Sequence, residues 1–594
     1  MRIPSSKIER FVREIADECL ESQRLRMRRG EFYKNYYLTG SENGDDAAIY
    51  NKTFTYIDDL ESLLYSPVSL RFQLGDPDLP NVLQKAKNQA ASIHLRNLAR
   101  KSDIDSLMSA GVTWSLVKGK SFVKVQYKGS NFSGDLVQPE AMGVLRENHH
   151  SLDAGMDAFA HRMYITRYEF SRLIAGHPDE DILKKRARAY MRASGDAGAE
   201  GRPHMQVTTG AMQPFRETNN AIPNAMNTVN WLAAPEPYLT PQMQEALLPL
   251  DEVWIWDDKR NNWATFQIIG DNILILGKYQ IINALSWNTN SQADNPHLEG
   301  KHPFVEFCPN PLDGYFWGKS EIFHVWLLQE AINARINGTN RLLRQQEDPP
   351  TKFIGATTPN QNTLAKFRKA GGYWVDQNPN AKIENMPPQI PEALWATLHE
   401  YERMFDEIGG LPPIAKGRGE AGVRGQGHAE TLIRMFSPRF KDRALLIERD
   451  VEAVGSLMLD IAKAHIADKI TAWVPQDQAG LEKSDPNPLI IAPSPNTTAV
   501  RFQYSDIPED ATLTVQSHSS SPAFLAEAKS LVFDLFKIGG MTAEDVIESV
   551  DAPNPEELVS GIHRREAQKQ AQLAELAKQN PDAAKKQLTS GKKR

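Results

Sequence analysis

Between Gly409 and Gly427 seven glycines (409, 410, 417, 419, 422, 425 and 427) surround three cations, Lys416, Arg418 and Arg424, and one acid, Glu420. Glycine changes φ/ψ at low steric cost, so this stretch reads as a soft, net-basic loop that could touch phosphate without fixing a geometry. Gly417-Arg418-Gly419-Glu420-Ala421-Gly422 also spells the dinucleotide fingerprint. That fingerprint needs a strand before it and a helix opening at its third glycine; here a helical pattern precedes it and further glycines follow. Gly119-Lys120-Ser121 and Gly318-Lys319-Ser320 end like phosphate loops, but Trp114 and Asp313 stand where the leading glycine belongs. Without that turn no backbone N–H groups converge on a phosphate. The chain has no HExxH, paired CxxC or GxSxG. His149 and His150 are adjacent, so they point in different directions and read as surface residues. These residues imply a protein that is not an enzyme and uses no metal or cofactor.

The elements that position the glycine-rich loop are helical. The spacing predicts a long helix from Ser320 to about Gln346, with Ser320 as N-cap and Asp348-Pro349-Pro350 as its stop. Its matching acid is Glu321 rather than a residue three positions on, so a full capping box is absent. A small α/β piece follows: strand Lys352–Ala356, helix Thr363–Ala370, then strands Tyr373–Asp376 and Lys382–Met386, closed by Pro387-Pro388. A return helix is predicted over Pro391–Ile408. Beyond the loop, a very long helix is predicted from Ala429 to about Lys469, with a kink at Pro438, where proline removes one backbone bond. The first helix carries an apolar stripe, Ile322, Val325, Trp326, Ile332, Ile336 and Leu343, and a polar one, Asn333, Asn337 and Asn340. Two such rods joined by a small insert make a stalk about 38 Å long. Either a neighbouring copy covers its apolar stripe, or the helices pack inside an ordinary helical domain.

Upstream, Ile8, Phe11, Ile15 and Leu20 recur at helical spacing. A basic cluster (Arg24, Arg26, Arg28, Arg29) and an aromatic run, Phe32 to Tyr37, come next; these aromatics, like Trp254 and Trp256, read as core or subunit contacts. Helices are predicted around Leu79–Ser106 and Arg167–Ser194, a β-like stretch over Trp114–Tyr127, and a long loop over Ser194–Asn230. A small antiparallel meander is predicted from Glu252–Trp256, Trp263–Ile269 and Ile273–Leu276, turning at Asp257–Asn262. The segment from Ser521 reads as helical and ends in a basic, solvated tail.

The length, 594 residues, is too great for one core. The net charge of −7 excludes a wholly basic DNA-coating protein, so any nucleic-acid contact is local. Two cysteines, Cys19 and Cys308, fit a reducing cytoplasm without disulfides. No apolar run reaches the roughly 20 residues that span a bilayer, and the N-terminus lacks a signal peptide's apolar stretch, so a soluble protein made in the host cytoplasm is expected.

The segment Pro303-Phe304-Val305-Glu306 through Gly314-Tyr315-Phe316-Trp317-Gly318-Lys319-Ser320, followed by Leu328-Gln329-Glu330-Ala331-Ile332-Asn333, resembles the start of the stem in portal proteins of tailed bacteriophages. Pro349–Met386 resembles their clip, Pro391–Ile408 their second stem helix, Gly409–Gly427 their tunnel loop, and Ala429–Lys469 the long helix behind it. Gly111–Tyr127 and Pro139-Glu140 through Tyr164-Ile165-Thr166 resemble their wing. The order of parts carries the resemblance more than any motif; the tail Gln579–Arg594 and Ser194–Asn230 match nothing in it.

The resemblance implies a mixed, mostly α fold with small β units. Its parts are a wing (1–319), a first stem helix (320–347), a clip (348–388), a second stem helix (389–408) and a tunnel loop (409–427). A long kinked helix with a return to the wing (428–520) and a crown with a basic tail (521–594) follow. It implies a dodecameric ring at one capsid vertex of the virion, through which double-stranded DNA is packaged and ejected. Lys416, Arg418 and Arg424, opposed by Glu420, would meet DNA without reading sequence, on hinges at Gly409, Gly410, Gly425 and Gly427. The clip, with Phe353, Tyr373 and Trp374, would dock the large terminase subunit and then head-completion or tail connector proteins. Phe353 and Trp374 could instead form the clip's own core. Major capsid and scaffolding proteins are further implied partners. The alternatives are another virion structural protein, such as a tail adaptor, or a nucleic-acid-processing enzyme.

Overall fold

The computed structural model describes residues 6–21, 23–42, 50–65, 72–74, 82–128, 131–165, 167–175, 179–187, 248–258, 261–269, 272–276, 298, 300–347, 351–354, 382–385, 391–410, 438–475, 497–508, 511, 513–515, 536 and 546. The helices are α1 (Ser6–Glu21), α2 (Gln23–Thr39), α3 (Lys52–Leu64), α4 (Val82–Lys101), α5 (Ile104–Lys118), α6 (Arg167–Leu173), α7 (Ile322–Glu347), α8 (Ala393–Gly409) and α9 (Pro438–His465). The strands are β1 (Phe72–Leu74), β2 (Ser121–Lys128), β3 (Asn131–Val137), β4 (Met142–Val144), β5 (Ala158–Ile165), β6 (Leu248–Asp257), β7 (Asn262–Ile269), β8 (Asn272–Leu276), β9 (Phe304–Phe307), β10 (Thr351–Ile354), β11 (Lys382–Asn385), β12 (Ile470–Pro475), β13 (Thr497–Phe502) and β14 (Leu513–Val515). The fold is mixed and mostly helical, with small antiparallel sheets. The chain divides into two units, Met1–Ser520 and Ser521–Arg594.

The largest sheet has the order β4-β5-β6-β7-β8, and a second has the order β3-β2-β9. Strand periodicity sorts the residues of the five-stranded sheet onto two faces. Ala158, Ala160, Val253, Ile255, Ala264, Phe266 and Ile268 pack on Val12, Ala16, Cys19 and Leu20 of α1. The alternate residues Phe159, Trp254 and Trp263 pack on Phe122, Phe304, Phe316 and Trp317. The expected meander is therefore present, and Trp254 sits in the core. Two buried ion pairs fix it further. Lys124 on β2 meets Glu252 on β6 at 2.6 Å, and Arg162 on β5 grips Asp251 on β6 through two bonds of 2.7 and 2.8 Å. A one-residue slip of β6 would leave these charges buried without partners.

Four expected elements differ. The helix expected over Leu79–Ser106 is two helices, because Asp103 adopts left-handed backbone (φ 57°) between α4 and α5. Trp114 is helical, not the start of a strand: α5 buries Ile104, Met108, Val112, Ser115 and Leu116, a 3.6-residue period. Gly119, at φ 95°, ends it, and the strand begins at Ser121. The helix expected over Arg167–Ser194 stops at Leu173, and a second helical run occupies residues 180–187; Pro178 in between opposes continuation. The long helix ends at His465, and by Ile470 the chain is in β12, paired with β13.

Candidate functional site

The segment of interest begins where α5 hands over to α7. The Ser320 hydroxyl accepts the Ile322 N–H (3.1 Å) and donates to the Val117 carbonyl, so the predicted cap also fastens α7 to the end of α5. From there α7 runs for 26 residues, about 39 Å. Its first half buries Ile322, Val325, Gln329 and Ile332 against α2, α3 and α5. Trp326 meets the rings of Phe32 (5.3 Å) and Tyr36 (5.9 Å), and the Tyr36 hydroxyl donates to Glu330 at 2.7 Å. The aromatic run of α2 is thus a seat for α7. Of the two readings of the stripe, packing within the chain holds for Ile322, Val325 and Ile332, which the chain's own helices cover, whereas Leu343 at the outer end is exposed.

Three buried polar groups tie this base together. Gln329 accepts the N–H groups of Lys52 (3.0 Å) and Thr53 (3.3 Å) at the start of α3, and donates to the Tyr50 carbonyl and to Asn333. Lys52 reaches α8, pairing with Asp406 at 3.0 Å, donating to the Glu402 carbonyl at 2.8 Å, and lying 5.1 Å from the centre of the Phe405 ring. Glu321 is the hub. It is 2.8 Å from Arg443 of α9 and accepts Asn310 at 2.5 Å. It also lies 3.0 Å from the Tyr56 hydroxyl, which is 3.1 Å from the Gly409 carbonyl. Burial beside this carboxylate pushes the Tyr56 phenol well above its ordinary value. Glu321, noted in the sequence only as a misplaced cap, is the anchoring residue that sequence reasoning missed; its local spacing held no sign of these partners.

The outer half is different. Beyond Ile332, α7 buries only Thr339, and its last five residues are all exposed. α8 buries only Leu398, Phe405 and Gly409. The two helices pack antiparallel, with Arg335 of α7 lying 5.9 Å from the ring centre of Tyr401 on α8. At the outer end β10 and β11 pair, Thr351 opposite Asn385 and Ile354 opposite Lys382. This is the order expected for the stalk and part of its insert.

α8 ends at Gly410, in left-handed backbone (φ 74°), whose N–H bonds the Asp406 carbonyl at 2.8 Å. A Cβ at Gly409 would meet the Tyr56 ring at 2.9 Å, so the chain leaves the helix pressed on that ring. Through Tyr56 and Glu321, Gly409 is linked to Arg443 on α9. The described chain on either side of residues 411–437 is therefore anchored at one place. Lys416, Arg418, Glu420, Arg424, Gly425 and Gly427 lie outside the described residues, as do Tyr373, Trp374, the helix expected at Thr363–Ala370 and the loop expected at Ser194–Asn230. Phe353 is on β10. Pro438 is the first described residue of α9, so the kink expected there falls at the edge of the described residues.

α9 itself is buried along Phe440, Ala444, Ile447, Val451, Val454, Met458 and Ile461. Among these apolar residues lies Asp450, which accepts the Cys308 N–H at 3.2 Å; burial pushes its carboxyl up to about 7 and the Cys308 thiol up to about 12. Lys120 is nearby, 3.3 Å from Glu306 and 3.6 Å from the centre of the Phe316 ring. His150 is exposed and pairs with Asp313 at 3.0 Å, whereas His149 is half-buried. Among the described residues no group of three or more His, Cys, Asp or Glu could hold a metal ion, and no helix is long and apolar enough to cross a membrane.

No known protein family matches the sequence, and no curated protein does. Among solved structures, a chain in the virion of a native gene transfer agent particle aligns with 84% of this chain and 89% of its own length, at 10% identity and a TM-score of 0.34. A chain in the neck of an empty gene transfer agent particle, computed with C6 symmetry, aligns with 90% of this chain and 94% of its own, at 11% identity and a TM-score of 0.33. Both scores are below 0.5, so the functional reading rests on the helix pair.

Proposed function

We propose that this chain is a portal subunit of a tailed phage or phage-like particle, a non-enzymatic virion protein that assembles into a dodecameric ring around a DNA channel. One observation carries the reading. Two antiparallel rods, α7 and α8, are fixed at one end by buried polar bonds, carry a strand pair at the other, and are succeeded by a glycine-rich basic stretch anchored on both sides at the rods' base. In this reading 1–319 is the wing, 320–347 and 389–408 the stem, 348–388 the clip, 409–427 the tunnel loop, 428–520 the long helix and its return, and 521–594 the crown.

The mechanism follows from charge and freedom. Lys416, Arg418 and Arg424 attract phosphates whatever the sequence, while Glu420 and the glycines keep each contact weak enough for a duplex to slide. Gly410 would be the inner hinge, since its left-handed backbone already ends α8. Energy for movement comes from a terminase docked on the clip, which head-completion or tail connector proteins replace once the capsid is filled. Major capsid and scaffolding proteins surround the wing.

Native mass spectrometry tests the assembly: a species at twelve times the 66.7 kDa chain is expected, and a chain that stays monomeric at all concentrations overturns the reading. The double variant Lys416→Ala, Arg418→Ala should form the same species and package or retain less DNA. Unchanged packaging would overturn the role given to the loop.

A further inference from the structure

Lys124 and Glu252 join the two larger sheets, and their surroundings suit a bond stronger than an ion pair. Lys124 rises from β2 of the three-stranded sheet and Glu252 from β6 of the five-stranded one. They are 128 positions apart in the chain, and Lys124 Nζ lies 2.6 Å from Glu252 Oε2. Their side chains are 2% and 1% exposed. Two other lysine pairs are wetter: Lys120 meets a Glu306 that is 16% exposed, and Lys118 a Glu140 that is 17% exposed. Rings close the site to water. The centre of the Phe304 ring lies 5.3 Å from Lys124 Nζ. Phe159 and Trp254 stand two residues along from His161 and Glu252, on the same face of the sheet, and pack with Phe304.

His161 adds a proton carrier. It is buried directly opposite Glu252 on β5, with Nδ1 3.7 Å from the same Oε2. Burial lowers its imidazole below the ordinary value, which leaves the ring neutral and able to accept a proton.

We propose that Lys124 and Glu252 condense to an isopeptide bond inside the folded chain, with His161 relaying a proton. Lys124 gives one proton of its ammonium to the carboxylate beside it. The freed lone pair attacks Cδ of Glu252, a bond forms between Nζ and Cδ, and the bond from Cδ to Oε2 breaks. His161 takes a second proton from the nitrogen and passes it to the departing oxygen, closing the 3.7 Å gap as that oxygen moves. Oε2 leaves as water with two of the three ammonium protons, and the third stays on the amide nitrogen. No oxidant or second substrate is required. Once the water has gone, the surrounding rings oppose its return. Arg162 and Asp251, on the other face of the same strands, cannot follow, because a guanidinium keeps its proton. The bond closes residues 124–252 into a loop that outlasts unfolding. It goes beyond the ring reading and stands without it.

Mass spectrometry of the unfolded chain tests it. Protein first held folded until its mass is constant should be one water, about 18 Da, lighter than its sequence. Trypsin should then fail to cut after Lys124, and the peptide Ser121–Lys128 should appear joined to the peptide that holds Glu252. Lys124→Arg keeps a cation opposite Glu252 but no amine that can be freed, so it should retain the full mass. His161→Gln should slow the loss about tenfold or more and end at the same link. A parent chain at full mass, a lost water that maps elsewhere, or a Lys124→Arg chain that also loses it would overturn the bond. An unchanged rate in His161→Gln would overturn the role of His161. None of these readings depends on ring formation, so their failure leaves the ring reading intact.

Discussion

The two ends of the α7–α8 pair are made from the same helices and held in opposite ways. At the base, Gln329, Lys52 and Glu321 are buried and bonded to α3, α8 and α9. At the outer end Arg341, Arg344, Glu392 and Trp395 are exposed. The chain commits its own residues to one end and leaves the other unfinished. A rod pair that is rigid at its root and bare along its outer flank is suited to standing beside copies of itself. The same contrast divides the apolar stripe of α7: Ile322, Val325 and Ile332 belong to the root, whereas Leu343 is exposed at the outer end.

The contrast can be broken most severely at Glu321. Glu321→Ala removes the partner of the half-buried Arg443 and the acceptor of Asn310 and Tyr56, and should cost about 3 kcal/mol, seen as a lower denaturation midpoint for the main unit. Gln329→Ala leaves two N–H groups of α3 without their acceptor and should cost about 1–3 kcal/mol in the same measurement. Gly410→Ala forces left-handed backbone on an L side chain, costing about 1 kcal/mol. At the outer end, Arg341→Ala should change the midpoint by less than about 0.5 kcal/mol, which sharpens the difference between the ends.

A pH series probes the helix behind the base. The Asp450 carboxyl is raised to about 7 in the folded chain, so it binds a proton more tightly there than when unfolded. Its ionisation therefore opposes folding. The destabilisation is absent below the unfolded carboxylate range, near pH 4, grows as pH rises, and is complete above about 7. Asp450→Asn should leave stability little changed near pH 4 and raise it most at pH 8. A variant equally stabilising at both would place the effect elsewhere than in this proton.

What was legible in the sequence was local. Ser320 and Pro349 bracket α7, and Pro391 marks the start of α8, within one or two residues, because caps and prolines act on their own neighbours. The meander was legible from short apolar runs around Trp254 and Trp263, parted by the polar turn Asp257–Asn262. What was not legible depends on distant residues. The role of Glu321 needs Tyr56, 265 positions away, and nothing near it announces that bond. Which α7 stripe faces inward is settled by Phe32 and Tyr36, again far off in the chain. Trp114 is helical although Val112, Thr113 and Val117 around it favour strands, because the packing of α5 overrides that preference.

Electron microscopy of the purified chain tests the central claim most directly. Rings with an axial hole are expected, with the paired rods standing side by side on one face. Single particles with no hole, or a closed assembly in which α7 and α8 of each copy touch no other copy, would contradict it.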